Sequence, residues 1–246
     1  MPDSTEFFLD EGLIHKILRP LKQGKEASVH LCLADRDKTG HDLAALKIYR
    51  PLDRRDFHDE SIYRDGEWIK DGRVRRALEN KSRFGRVLQA GTWVHREWET
   101  MQKLSLTQVA PLPIALHDDA ILMTYVGDLR MAAPQLRDLH PTAEDLEALW
   151  QQLRAALGLM LLNDVVHADL SAYNVLVWEG KPTVIDFPQA VDPKLNRNAE
   201  DLLRRDIQRL GEWFTREGLA LDWEQIAGEI WFSWLNADLI PADFRH

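Results

Sequence analysis

The sequence predicts an α+β fold in which a β-rich first half is followed by a helical second half. Alternating apolar residues within residues 21–50, separated by turn residues, predict strand, turn, strand, turn and strand. After residue 140, apolar residues recur at helical spacing. At 246 residues the chain is long enough for two small lobes. We place them at residues 1–126 and 127–246.

Composition narrows the class of protein. The 31 Lys and Arg against 40 Asp and Glu give a net charge of −9, which argues against a general affinity for nucleic acid. The single cysteine, Cys32, excludes an internal disulfide and a multi-cysteine zinc site, and its apolar surroundings indicate packing. The acidic amino terminus does not resemble a signal peptide, and no apolar run has membrane-spanning length. We therefore predict a cytoplasmic protein without a membrane partner.

The first half is predicted to begin with a short helix over Asp10–Leu18, which introduces the strands. Alternation in Val29–Leu33 predicts the second strand, and Ala44–Tyr49 predicts the third. Lys47 lies among the apolar residues of that third strand. It is either an exposed residue or a cation with a function, and the residues alone leave both open.

A charged segment, residues 51–91, separates the strands from the next predicted helix, Thr92–Leu104. Glu97 is the acid on this helix that we expect to pair with Lys47, although an ordinary exposed glutamate would fit the pattern too. We interpret the charged segment as a solvated helix and loop. Its basic residues could instead form a docking surface for an acidic partner or RNA. They are Arg73, Arg75, Arg76, Lys81, Arg83 and Arg86.

A buried strand is predicted over Ala120–Val126, before a polar break at Gly127. A capping pattern beginning at Thr142 opens the first helix of the second half. Two more helices are predicted at Ala199–Phe214 and Trp223–Leu235. The first helix should contribute an apolar stripe to the core, consisting of Leu146, Leu149, Leu153, Leu157 and Met160.

A predicted hairpin brings polar residues together. Its strands are Val175–Trp178 and Thr183–Ile185, joined by a turn at residues 179–182. Asp169 and Asn174 precede the first strand, and Asp186 follows the second, so two carboxylates and an amide oxygen should lie close together. Such oxygens are the ligands that Mg²⁺ prefers. A surface hairpin with Asp and Asn turns is the alternative.

The order of these residues matches the protein-kinase signature H-R-D-L-x-x-x-N followed by D-F-G. Here residues 167–174 read HADLSAYN, and residues 186–188 read DFP. The whole constellation on a hairpin predicts phosphoryl transfer. The glycine-rich loop is a weaker signal: with Val29 as the valine of G-x-G-x-x-G-x-V, only the middle one of the three glycines is present, as Gly24.

With these motifs the chain resembles the RIO family of atypical protein kinases, particularly its bacterial RIO-like branch. Residues 24–29, GKEASV, resemble the family's phosphate loop, while LKIYR and WVHREWETM resemble its lysine strand and acidic helix. HADLSAYN, IDFPQ and the RRD of residues 204–206 resemble its catalytic loop, metal loop and following helix. The resemblance covers about residues 10 to 215.

The resemblance implies a truncated bilobal protein-kinase-like fold that binds ATP with Mg²⁺, with Mn²⁺ as a further possibility. Strand residues 120–126 would form the hinge that receives the adenine. The implied catalytic residues are Asp169, Asp186 and Lys47, and the implied metal ligands are Asn174 and Asp186. The implied nucleotide-binding residues are Gly24, Lys25, Ala27, Ser28, Val29, Lys47, Glu97, Met123, Tyr125, Asn174 and Asp186.

Departures from ordinary protein kinases leave the acceptor open. Pro188 replaces the glycine of D-F-G, and no A-P-E follows, so the usual peptide-docking segment is not expected. The resemblance allows serine phosphorylation of a protein substrate, autophosphorylation, or an ATPase switch that passes phosphate to Asp186. It also suggests a ribosomal or RNA partner through Arg73–Arg86. The rival predictions are a small-molecule phosphotransferase of the aminoglycoside or choline kinase type and a nucleotide-binding pseudokinase-like module.

Overall fold

The computed structural model of the protein describes residues 4–50 and 83–236, with side chains described from residue 93 in the second range. The described chain divides into two compact units. The first contains residues 4–50, 83–105 and 111–132, and the second contains residues 106–110 and 133–236. The lobe boundary placed from the sequence, between residues 1–126 and 127–246, remains a prediction.

An antiparallel sheet of five strands forms the first unit, in the order β1-β2-β3-β5-β4. The strand predictions at residues 29–33 and 44–49 are confirmed, and the strand predicted at residues 120–126 ends at Thr124. The strand that precedes it, β4, was not predicted. The strands are β1 Ile14–Gln23, β2 Ala27–Ala34, β3 Leu43–Tyr49, β4 Pro113–His117 and β5 Ala120–Thr124.

Within residues 4–50 and 83–132, three helices accompany this sheet: α1 Ser4–Asp10, α2 Arg36–Thr39 and α3 Arg83–Lys103. The helix predicted at Asp10–Leu18 is wrong, because most of that segment belongs to β1. Three register shifts interrupt the pairing of β1 with β2, and these bulges disrupt the two-residue alternation that identifies a strand. The helix predicted from Thr92 is present but begins at Arg83.

One face of the sheet packs on α1 and forms the core of this unit. Phe8 of α1 is fully buried there. The strand residues in the same cluster are Ile14, Cys32, Ala34, Ala44, Leu46, Ala120 and Leu122. Burial raises the pKa of the Cys32 thiol to about 12, so this cysteine stays protonated at neutral pH and acts as an apolar packing residue, as predicted.

The second unit combines the hairpin with three long helices. Its elements are the strands β6 Val175–Trp178 and β7 Lys181–Val184, and the helices α4 Ala143–Leu162, α5 Ala199–Arg216 and α6 Trp223–Leu235. The predicted caps are present: the Thr142 hydroxyl accepts from the Asp145 N–H, and Asp222 accepts from the Gln225 N–H. The predicted helices are therefore confirmed.

The apolar stripe predicted for α4 is buried, at 0–4% exposure for its five members. Trp150 of the same helix meets Phe214 of α5 edge-on, with ring centroids 5.3 Å apart. The second unit thus has a core of its own, which supports the hairpin and the loops at its ends.

Two predictions, the charged segment and its basic docking surface, concern residues that lie partly outside the described part of the chain. Residues 51–82 of the charged segment, with the basic residues from Arg73 to Lys81, lie outside the described residues, and so do the side chains of Arg83 and Arg86. Among the helices that are described, none is both long and apolar enough to cross a membrane.

Candidate active site

In the first unit, a buried ion pair joins β3 to α3. Lys47 Nζ lies 2.8 and 2.7 Å from the two carboxylate oxygens of Glu97, as expected from the sequence. Tyr49, two residues further along β3, donates its hydroxyl to Glu97 Oε2, and Lys47 Nζ lies 4.9 Å from the centre of its ring. All three residues are buried, with at most 7% of each exposed. Burying the pair costs desolvation, which these mutual contacts offset.

Four of the residues predicted to contact nucleotide share the sheet face that is opposite the α1 core. Paired residues of antiparallel strands face the same way, and side chains alternate along each strand. By this register the four are Ala27, Val29, Lys47 and Met123. Ser28 is one position out of step, and its hydroxyl lies 3.1 Å from His30 Nε2 on the other face. The sheet therefore does not bring the Ser28 hydroxyl to Lys47.

The other residues of the first unit that are predicted to contact nucleotide lie at the ends of strands. Gly24 and Lys25 belong to the turn between β1 and β2, where the Gly24 N–H donates to the Ala27 carbonyl at 2.9 Å. A Cβ atom at Gly24 would lie 3.2 Å from that oxygen, so a larger residue would require the turn to shift by a few tenths of an ångström. Tyr125 follows β5 and donates its hydroxyl to the Asp128 carbonyl at 3.1 Å.

In the second unit, hydrogen bonds fix the loop that precedes the hairpin. The buried His167 accepts at Nδ1 from the Asp169 N–H, so Nε2 carries the proton and donates to the Ile185 carbonyl at 3.0 Å. The Asn174 side-chain nitrogen donates to the Asp169 carbonyl at 2.9 Å. Since that bond occupies the nitrogen, Asn174 Oδ1 is the atom available to a cation.

Asp186 lies beside this loop because of how the hairpin closes. The N–H of Ile185, its neighbour in sequence, donates to the Asn174 backbone carbonyl at 2.9 Å. Asp186 has φ of 75°, in the left-handed region that aspartate tolerates better than most residues. The predicted hairpin thus brings together the backbones that carry Asp169, Asn174 and Asp186.

Helix α5 holds the backbone on both sides of Asp169. The Asp206 carboxylate accepts from the Ala168 N–H at 2.7 Å and from the Leu170 N–H at 2.9 Å. Arg205 donates to the Ala168 carbonyl. Ala168 has φ of 66°, a conformation that costs of order 1–3 kcal/mol and persists only where surrounding contacts enforce it. Here the contacts from α5 enforce it.

Asp206 is fully buried, and burial raises its pKa to about 7. The two backbone N–H donors and Arg205 oppose this shift, and the Asp169 charge adds to it. Because the folded protein holds this proton more tightly than the unfolded chain does, the contribution to stability is complete below about pH 4 and is lost as the pH rises through about 7.

We therefore expect the unfolding free energy of the wild type, measured relative to the Asp206→Asn variant, to fall between about pH 4 and pH 7. Urea unfolding at several pH values measures this difference, with Asp201→Asn, an exposed position on the same helix, as the control. A difference that does not vary with pH would show that the buried carboxyl does not titrate in this range.

The Asp169 side chain contacts the same helix through Arg209. Arg209 Nη1 lies 2.7 Å from Asp169 Oδ1, and the two side chains are 41% and 45% exposed. Asp169 is therefore held at its backbone by Asp206 and at one side-chain oxygen by Arg209.

The donor set at the hairpin fits a magnesium ion. Asn174 Oδ1 and the Asp186 carboxylate are hard oxygen ligands, and Mg²⁺ characteristically takes one or two carboxylates while phosphate and water complete its octahedron. Within residues 4–50 and 83–236 no group of three His, Cys, Asp or Glu residues could hold a metal. Asn174 and Asp186 would therefore provide the protein ligands of an ion that also binds phosphate and water.

Four residues of these clusters were given no role from the sequence: Tyr49, Arg205, Asp206 and Arg209. Tyr49 could have been found by alternation, since it lies two residues after Lys47 and so on the same strand face. The RRD motif of residues 204–206 marks this part of α5 but assigns no role to Arg205 or Asp206. Arg209 follows Asp206 by one helical turn, so helical spacing would have placed it on the same face of α5.

Comparisons with known proteins find a matching family and several relatives of the chain. The family model described as "RIO1: RIO domain" matches residues 29–226. The RIO-type serine/threonine-protein kinase Rio1 of Haloferax volcanii is 30% identical over 219 residues, which are 89% of this chain and 70% of the relative. The kinase of the same name from Thermoplasma acidophilum is 30% identical over 185 residues, 73% of this chain and 96% of the relative.

A solved structure shares the fold. It is the Rio2 kinase–ADP/Mg²⁺–phosphoaspartate complex from Chaetomium thermophilum, with a TM-score of 0.66 and 17% identity, covering 98% of this chain and 71% of the other. At this identity the likeness concerns the fold, and it confirms the predicted truncated bilobal kinase-like α+β architecture.

Proposed function

The chain belongs to the RIO family of serine/threonine protein kinases, and we propose how its residues carry out the phosphoryl transfer. As a kinase it uses ATP with Mg²⁺; that Mn²⁺ can replace Mg²⁺ is part of the proposal. A small-molecule phosphotransferase is not favoured, because the matching relatives are serine/threonine protein kinases.

Asp169 is the residue that accepts the proton of the acceptor hydroxyl. That oxygen bonds to the γ-phosphorus of ATP while the bond to the β,γ-bridging oxygen breaks, and ADP leaves. The single observation that carries this role is the rigid attachment of Asp169. Its backbone is fixed by His167, Asn174 and Asp206, while its side chain remains 45% exposed and so accessible to an acceptor. Such fixed orientation is the main contribution that an enzyme makes to phosphoryl transfer.

Asn174 and Asp186 would hold the magnesium ion, through the amide oxygen and the carboxylate. When bound, the ion neutralises charge on the phosphate oxygens. Lys47, oriented by Glu97 and Tyr49, contributes a cation to the nucleotide phosphates. Ala27, Val29 and Met123 share the Lys47 face, which supports a role for them in contacting nucleotide. The roles of Gly24, Lys25, Ser28 and Tyr125 remain predictions.

The proposed phosphoryl transfer has two versions, which differ in the group that accepts the γ-phosphate. In one, the acceptor is a serine of another protein or of this chain. In the other, it is the Asp186 carboxylate, and the acyl phosphate is then hydrolysed so that the protein acts as an ATPase switch. We favour transfer to serine, because Asp169 is exposed and a hydroxyl acceptor needs a base.

Incubation with γ-labelled ATP and Mg²⁺, followed by acid and hydroxylamine treatment, distinguishes the two acceptors. Label on serine survives both treatments, whereas an acyl phosphate is released by hydroxylamine. We expect stable label that is lost in Asp169→Asn. Labile label that disappears in Asp186→Asn would instead establish the switch.

We also propose a ribosomal or RNA partner that binds Arg73–Arg86. We further propose that the protein is cytoplasmic. The partner rests on the basic composition of that stretch.

A further inference from the structure

We infer that Arg209 is a positioning residue for phosphoryl transfer, because it holds one oxygen of Asp169 so that the other faces the acceptor hydroxyl. The inference rests on the proposed function, in which Asp169 receives the proton. The observation behind it is the 2.7 Å contact between Arg209 Nη1 and Asp169 Oδ1.

The contact comes from a helix that is itself fixed to the loop. Asp206 holds the N–H groups of Ala168 and Leu170, and Arg209 lies one turn further along the same helix. Because the carboxylate of Asp206 fixes the backbone on either side of Asp169, a single additional contact to the side chain is enough to define its rotation. Arg209 supplies this contact.

The ion pair between Arg209 and Asp169 contributes little to the stability of the fold. The two side chains are 41% and 45% exposed, and ion pairs with such exposure contribute about 0–1 kcal/mol. A partly exposed arginine that pairs with the residue required for catalysis therefore acts mainly on the geometry of that residue. The fold should tolerate its loss.

In the reaction, the two carboxylate oxygens of Asp169 therefore have different roles. Oδ1 accepts a hydrogen bond from Arg209, so Oδ2 is directed to the acceptor hydroxyl and takes its proton. The hydroxyl oxygen bonds to the γ-phosphorus, and the bond to the β,γ-bridging oxygen breaks with release of ADP. After transfer, the proton on Asp169 is lost to solvent through its exposed edge.

The test compares Arg209→Gln with a matched control, Arg204→Gln. Arg204 lies on the same helix, is 40% exposed, and pairs with Glu200 at 2.8 Å instead of with the catalytic loop. We expect Arg209→Gln to lower kcat about 10- to 100-fold, since small errors in orientation have effects of this size. KM for ATP should change by less than about twofold, because the nucleotide contacts are retained. Arg204→Gln should leave both values unchanged.

Two further variants show that Arg209 acts through Asp169. Arg209→Lys keeps the cation and should restore part of the lost kcat. In an Asp169→Asn background, adding Arg209→Gln should produce no further loss of labelled product, because the two residues act as a unit. Urea unfolding should give similar stability for the wild type, Arg209→Gln and Arg204→Gln.

Several results would overturn the inference. They are a kcat for Arg209→Gln that equals that of the control, no gain in Arg209→Lys over Arg209→Gln, or a loss in the Asp169→Asn background as large as that in the wild type. If Asp169→Asn itself remains fully active, both the proposed function and this inference fail. If Asp169→Asn is inactive while Arg209→Gln matches its control, only the inference fails.

Discussion

Replacing Asp169 with asparagine should lower the rate of phosphoryl transfer by about 10²- to 10⁴-fold, the range that general-base catalysis contributes. Asparagine has nearly the same shape, so the backbone bonds from His167, Asn174 and Asp206 can form as before. What is lost is the oxygen that receives the proton of the acceptor hydroxyl. Steady-state kinetics with γ-labelled ATP measure the change.

The control for this variant is Asp201→Asn, which removes one negative charge at an exposed position of α5. It should retain the wild-type rate. A folded Asp169→Asn protein with wild-type kcat would show that another residue accepts the proton, or that the reaction needs no base.

Replacing Lys47 with methionine should both destabilise the first unit and reduce the use of ATP. Glu97 is 1% exposed, and removing its cation leaves a buried carboxylate that only the Tyr49 hydroxyl and its remaining contacts can offset. Breaking a buried pair in this way costs about 3–5 kcal/mol. The loss of a cation at the phosphates should lower kcat/KM for ATP. Urea unfolding and kinetics measure the two effects separately.

A double variant distinguishes the effect of Lys47 on folding stability from its effect on activity. Lys47→Met combined with Glu97→Leu replaces the pair with apolar side chains of similar size, and such replacements are often neutral or stabilising. We expect the double variant to recover most of the stability lost in Lys47→Met and none of the activity. Recovery of activity along with stability would indicate that Lys47 acts only on the fold.

Much of the second unit could be predicted from the sequence because its signals are local. The Thr142 cap, the apolar stripe of α4 and the two short strands around Gly180 each lie within a few residues of one another. The order of Asp169, Asn174 and Asp186 along the chain also fixes their proximity, once the hairpin is recognised. These parts of the fold and the site were therefore predictable.

The first strand and the supports of the catalytic loop were harder to predict. Bulges in β1 interrupt its alternation, so Ile14–Gln23 lacks the regular pattern of a strand and its first residues were assigned to a helix. The contacts of Asp206 and Arg209 join residues 36 to 40 positions apart, and no local pattern reports such separations. Lys47 and Glu97 are 50 residues apart, and no local pattern pairs them, so their contact was expected only from the strand-lysine and helix-acid arrangement of protein kinases.

The proposed mechanism needs the residues of α5 that orient Asp169 as well as the residues that would contact the substrate. Ala168 is kept at positive φ by contacts from α5, and the same helix holds the Asp169 side chain. Local order in the catalytic loop therefore depends on a helix that begins some thirty residues later in the chain.

The most direct test of the account is the fate of the γ-phosphate when wild-type protein and Asp186→Asn are incubated with labelled ATP, with and without Mg²⁺. For the wild type we expect labelled protein or free phosphate with Mg²⁺, and neither product without Mg²⁺. For Asp186→Asn we expect neither product, because the carboxylate that would hold the ion is gone. Wild-type turnover by Asp186→Asn, or turnover that needs no divalent cation, would contradict the proposed site.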